Sequence, residues 1–148
     1  MLISRGQLLA TAESCTGGLV AKLLTDRAGS SAWFERGLIT YTNQAKHELL
    51  GVPETVFREH GAVSGECVAA MATGLLARAP VDWALSVSGV AGPGGGSADK
   101  PVGTVWLGWA RRGEPASTQR CLFGGDREAI REAAARQVLL GLLQRLGN

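Results

Sequence analysis

Cysteine, histidine and tyrosine are scarce in this 148-residue chain, at three, two and one residues. Cys15, Cys67 and Cys121 are odd in number and far apart, so they outline no disulfide framework and point to a reducing, cytoplasmic setting. With only His47 and His60, and neither a CxxC nor an HExxH pattern, no metal or other cofactor is expected. No apolar run is long enough to span a bilayer, and no signal-peptide pattern opens the chain. Charge of one sign is in short supply as well: 15 Lys and Arg stand against 13 Asp and Glu, a net +2. No basic cluster interleaves with aromatics, so neither nucleic acid nor a membrane is an expected partner. The pair Arg111-Arg112 reads as a solvated turn.

What is present is an ordinary globular balance, 45% hydrophobic and 19% charged, with 21 glycines. Residues 1–148 fit a single domain with a sizeable core, without internal repeat or linker. Strand-like and helix-like segments alternate. Leu8–Ala12 reads as a strand, Gly18–Arg27 as a helix closed by Gly29, and Gly37–Tyr41 as a second strand. Asn43 caps a short helix through Leu50, ended by Gly51 and Pro53. A helix from Ser64 to Ala79 carries Val68, Met71, Ala72 and Leu75 on one face. Trp83–Ser88, Val102–Ala110 and Ala116–Phe123 read as strands, and a last helix from Asp126 carries Ile130, Ala134, Val138 and Leu142. Three successive strands without intervening helices imply an antiparallel portion. The expectation is an α/β fold: one three-layer α/β/α domain around a mixed, central β-sheet.

Two turns stand out. Thr11-Ala12-Glu13-Ser14-Cys15-Thr16-Gly17-Gly18 runs from strand into helix start, where unpartnered amides and the positive end of the dipole suit a phosphate or carboxylate. Gly89-Val90-Ala91-Gly92-Pro93-Gly94-Gly95-Gly96-Ser97 follows a strand end, the place where open α/β sheets bind ligands; its plain alternative is a hairpin connection. Three nucleophiles compete. Cys15 sits near a helix N-terminus, which favours thiolate, but has no patterned histidine base. Ser14 has its hydroxyl occupied if it is the N-cap. Ser30-Ser31 lies before Ala32-Trp33-Phe34, and Ser31 needs a base such as Lys46 with a lowered pKa, with Tyr41 to orient it. Spacing does not decide among these.

The blocks Ala12–Gly18, Ala28-Gly29-Ser30-Ser31-Ala32-Trp33-Phe34, Tyr41-Thr42-Asn43 with Lys46, His60–Ser64, Ser88–Pro93, Lys100–Val105 and Gly125-Asp126-Arg127 occur in order over nearly the whole chain. In these the chain resembles the CinA C-terminal domain family, whose standalone members include nicotinamide-mononucleotide deamidases. The resemblance implies an amidohydrolase that turns the carboxamide of nicotinamide mononucleotide into a carboxylate and releases ammonia. By it, Ser31 is the nucleophile, Lys46 the general base and Tyr41 their support. Substrate contacts are expected from Ser14, Thr16, Gly17, Gly18, Ser30, Ser88, Gly89, Gly92 and Arg127. Trp33 is a candidate to stack on the pyridinium ring, with core packing as the alternative.

The expected partner is thus a small nucleotide, in a homodimer. The competing function is a non-catalytic nucleotide-binding or regulatory module, since related domains are also fused to a nucleotide-processing domain. Two departures from the family pattern stand out: only Met1–Gly6 precede the first strand where the family carries an amphipathic helix, and Gly94 replaces an acidic residue after Gly92-Pro93.

Overall fold

Five strands and six helices make up the computed structural model, which describes residues 1–148. They are α1 (Leu2–Arg5), β1 (Leu9–Glu13), α2 (Leu19–Thr25), β2 (Phe34–Ile39), α3 (Asn43–Leu50), α4 (Glu54–Glu59), α5 (Gly65–Arg78), β3 (Trp83–Gly89), β4 (Thr104–Arg111), β5 (Ser117–Leu122) and α6 (Arg127–Gly147). A 3₁₀ turn, Ser30–Ala32, precedes β2. The sheet order is β2-β1-β3-β4-β5. β1 pairs in parallel with β2 and β3, whereas β3–β4 and β4–β5 are antiparallel, so the expected mixed sheet is present.

Period-two alternation sorts the strands into two cores. Leu9, Trp83, Leu85, Val87, Val105, Leu107 and Trp109 face α2 and α6, where Val20, Leu24, Ile130, Ala134, Val138 and Leu142 meet them. Ala10, Ala12, Ala84 and Ala110 face α5, against Val68, Met71, Ala72 and Leu75, with Leu50 of α3 alongside. The α5 side is built from small strand residues, and the helix lies close in consequence: Ser86 Oγ donates to the Val68 carbonyl at 2.6 Å. A Cβ at Gly108 would collide with both groups. The three layers follow, because both faces of the sheet are apolar and each has its own helices to cover it.

Several boundaries differ from the sequence reading for identifiable reasons. β2 starts at Phe34, three residues before the expected Gly37, because this edge strand is mostly exposed and shows no alternation. β4 begins at Thr104 rather than Val102, since Gly103 has φ +94°. The short α4 buries no residue, so it carries no apolar stripe to read. Residues 2–5 form one helical turn ended by Gly6 at φ +61°. Arg112 is not a solvated turn residue: its guanidinium donates to the carbonyls of Leu76, Ala79 and Val81 and closes the C-terminal end of α5. No helix is long and apolar enough to cross a membrane.

The α3–α5 contact is the tightest point of this scaffold, because a Cβ at Gly74 of α5 would overlap the Leu50 carbonyl at the end of α3. Gly74→Ala is therefore expected to lower the unfolding free energy by about 2 kcal/mol or more, measured by urea denaturation, despite alanine's better helix propensity.

Candidate active site

Because β1, β2 and β3 run parallel, their carboxyl ends meet at one sheet edge. There β1 ends at Glu13, Ser14 just beyond it still donates to the Val87 carbonyl of β3, and alternation sends the two side chains to opposite faces. Glu13 turns toward α2: its carboxylate accepts from the amides of Gly18 at 3.2 Å, Val20 at 2.9 Å and Ala21 at 3.0 Å. The chain thus fills its own helix N-terminus with a buried acid, satisfying donors that would otherwise lie open to a ligand. This corrects two expectations. The first-turn amides of α2 expected to meet a phosphate are taken by Glu13, and Ser14 is not the N-cap; that position is Gly18, with no side-chain cap.

Ser14, freed from capping, turns toward α3. There Lys46, only 1% exposed, reaches under the end of the sheet. Its Nζ donates to Ser14 Oγ at 2.9 Å, to the Thr40 carbonyl at 2.9 Å and to the Tyr41 carbonyl at 3.5 Å. The ion pairs of the chain do not include Lys46. Burial without a counter-charge disfavours the ammonium and holds its pKa below the usual 10.5. A neutral amine fits the same surroundings: two N–H groups satisfy the two carbonyls, and the lone pair is left for the Ser14 hydroxyl proton.

These residues open onto a cleft of ≈ 310 Å³ whose wall also includes Tyr41, Asn43, Ser88, Gly89, Gly92 and Arg127. Lys46 and Arg127 are its charged groups, and no carboxylate lines it, so the cleft is electropositive. Arg127 enters from the first turn of α6, whose N-cap is Asp126, as expected. Its guanidinium donates to the Gly92 carbonyl at 2.7 Å and to Tyr41 Oη at 3.0 Å, tying the glycine-rich loop to the segment after β2. Tyr41 therefore meets Lys46 through its main chain, while its phenol is held by Arg127. Ser88 Oγ donates to the Ala62 carbonyl at 2.8 Å, which fixes the far wall.

Other expected site residues lie elsewhere. Ser30 and Ser31 occupy the 3₁₀ turn before β2, at the amino end of the strands, whereas Lys46 Nζ sits beyond the carboxyl end of β2. The six residues of β2 separate them by roughly 20 Å at ~3.3 Å per residue, so Ser31 and Lys46 do not form a pair in this chain. Trp33 shares that amino end, packing beside Leu24 and Leu139 away from the cleft, and so belongs to the core. Thr16, Gly17 and Gly18 line a separate groove with Arg131. Cys15 borders the cleft, but burial pushes its thiol up to about 11, so it is a neutral thiol near pH 7.

The Ser14–Lys46 pair escapes a reading based on spacing, because 32 residues and a strand crossover separate its members. One signal was available: if Glu13 and Ser14 end a strand, only one of them can reach the following helix. The turn itself holds a further feature. Gly17 N–H donates to the Ser14 carbonyl at 3.0 Å, while the amides of Cys15 and Thr16, inside that turn, donate to no group of the protein. Of the two, the Cys15 amide stands next to Ser14 at the cleft, whereas Thr16 is fully buried and borders the separate groove.

The depressed pKa of Lys46 carries a stability signature. Between its folded value and 10.5 the unfolded chain binds the extra proton, so the lysine's contribution to stability rises with pH across that window. In urea titrations, the stability of the wild type relative to Lys46→Met should increase from pH 7 toward pH ~10.4. A pH-independent difference would mean that the folded protein does not disfavour the ammonium.

The model of the CinA C-terminal domain matches residues 1–146. The chain is 58% identical over 134 residues to the nicotinamide-nucleotide amidohydrolase PncC of Enterobacter agglomerans, covering 90% of this chain and 82% of that protein. It is 54% identical over 144 residues to the protein of the same name from Escherichia coli K12, covering 97% and 87%. Among solved structures, the competence damage-inducible protein A of Klebsiella pneumoniae superposes with a TM-score of 0.95 at 43% identity, covering 99% of this chain and 91% of that one. With a family model over nearly its full length and relatives this similar, the chain belongs to the CinA C-terminal domain family.

Proposed function

We propose that this protein is a nicotinamide-nucleotide amidohydrolase in which Ser14 is the nucleophile and Lys46 its general base. The observation that carries the assignment is the 2.9 Å contact between Ser14 Oγ and a buried lysine with no carboxylate partner, at the wall of an electropositive cleft. The names of the PncC relatives supply the substrate class.

The chemistry follows from the geometry. Neutral Lys46 accepts the Ser14 hydroxyl proton as Oγ attacks the carboxamide carbon, and the carbonyl π pair moves onto oxygen. The Cys15 amide, unpaired and at the wall of the cleft, is the donor available to that oxyanion. Lys46, now an ammonium, returns its proton to the amide nitrogen; the C–N bond breaks, ammonia leaves and a Ser14 ester remains. Water, deprotonated by Lys46, attacks the ester. Collapse of the second tetrahedral species releases the carboxylate product and regenerates the Ser14 hydroxyl. Arg127, with donors to spare beyond Gly92 and Tyr41, and the amides of Gly94 and Gly95 are the groups suited to the phosphate.

The test is ammonia release from nicotinamide mononucleotide. Ser14→Ala should lower kcat by roughly 10³-fold or more, whereas Ser31→Ala should stay within about twofold of the wild type. The opposite pattern would reinstate Ser31, and binding of the nucleotide without any turnover would favour a non-catalytic module. Because the active form of Lys46 is deprotonated, kcat/KM should climb with pH and level off below 10.5. Arg127→Met should raise KM by about ten- to hundredfold, the loss of one charge-assisted phosphate contact.

A further inference from the structure

The turn that follows Ser14 is held from behind by a residue of α6. Arg131 Nε donates to the Cys15 carbonyl at 3.0 Å and its Nη2 to the Thr16 carbonyl at 3.3 Å. Its guanidinium forms no ion pair, although Glu128 and Glu132 border the same groove. The turn is shaped to receive it. Gly17 has φ +58°, and a Cβ there would lie 3.0 Å from Arg131 Nη2. A cation placed on two main-chain carbonyls, at a glycine that leaves room for it, is a specific arrangement and not a solvated arginine.

The consequence lies on the other side of the peptide plane. In a trans peptide the C=O of one residue and the N–H of the next point in opposite directions. By fixing the Thr16 carbonyl, Arg131 fixes the Gly17 N–H of the same peptide, which donates to the Ser14 carbonyl. That hydrogen bond holds the Ser14–Cys15 peptide, and with it the Cys15 N–H, in the same turn. A positive charge on the carbonyl end also polarises each peptide, making its N–H a stronger donor.

We propose that Arg131 is a positioning residue for catalysis, holding the Cys15–Thr16–Gly17 turn so that the free Cys15 N–H meets the oxyanion formed when Ser14 attacks. This rests on the reading of Ser14 as nucleophile. Arg131 itself touches neither substrate nor reacting atoms; it acts through the turn. Its effect belongs to the transition state, because the ground-state carbonyl oxygen carries less charge for that amide to meet.

The experiment compares wild type, Arg131→Lys, Arg131→Met and Ser14→Ala in steady-state hydrolysis of nicotinamide mononucleotide. Lys22→Met serves as a control for charge in the same groove. A second readout is binding of the aldehyde analogue of the substrate, which Ser14 converts reversibly to a tetrahedral hemiacetal, alongside binding of the carboxylate product. Arg131→Met should lose at least about tenfold in kcat with KM within about twofold, and aldehyde affinity should fall by the same factor while product affinity holds. Arg131→Lys should fall in between, and Lys22→Met should match the wild type.

If Ser14→Ala loses turnover as expected while Arg131→Met keeps kcat within about twofold, the positioning role fails and the nucleophile assignment stands. If Ser14→Ala remains active, both fail. Parallel losses of aldehyde and product affinity in Arg131→Met would mark a purely structural role and overturn the proposal. Should Arg131→Met not fold, Arg131→Lys decides alone: a kcat loss with unchanged KM supports the proposal, and an unchanged kcat overturns it.

Discussion

A lysine taken out of water with only a hydroxyl and two carbonyls beside it sets the terms for the structure around this site. Lys46 is buried on α3, a helix that packs tightly against α5 where Leu50 meets Gly74. It has no acid to neutralise it, so its environment favours the uncharged amine. A neutral amine two-thirds satisfied by the Thr40 and Tyr41 carbonyls has one remaining hydrogen-bonding position, its lone pair, and Ser14 is the group that occupies it. The proposed nucleophile is thus defined by what the proposed base lacks.

Charge placement elsewhere serves that arrangement. Glu13 is the nearest carboxylate along the chain to Ser14, and on the other face of β1 it would pair with Lys46 and raise its pKa. Alternation along the strand keeps it on the α2 side, where three amides hold it. The result is a cleft with two cations and no acid, suited to an anionic substrate and to a lysine that works as a base. Arg131 extends the same logic from α6, where its charge acts on the peptides of the turn.

The fold was legible in the chain to a large extent. The buried strands at Trp83 and Val102 and the amphipathic α5 and α6 follow from periodicity, because their buried faces leave a pattern, and the mixed order of the sheet follows from three successive strands without a helix between them. The misread parts, the start of β2 and the short α4, bury little, and a segment that buries little has no pattern to read. The site was less legible. Lys46, Tyr41, Ser88, Gly92 and Arg127 do come together, but the expected nucleophile does not join them, because Ser31 stands at the wrong end of β2.

By itself, then, the sequence determined the alternation of elements, the two glycine-rich turns and the family, since these rest on residue type and local order. The tertiary structure alone decided which serine meets Lys46 and which helix end is already filled. Both outcomes depend on which face of β1 a side chain takes and which end of a parallel strand a turn lies at. Those are properties of strand pairing across the sheet, and a hydroxyl carries the same local signature at either end.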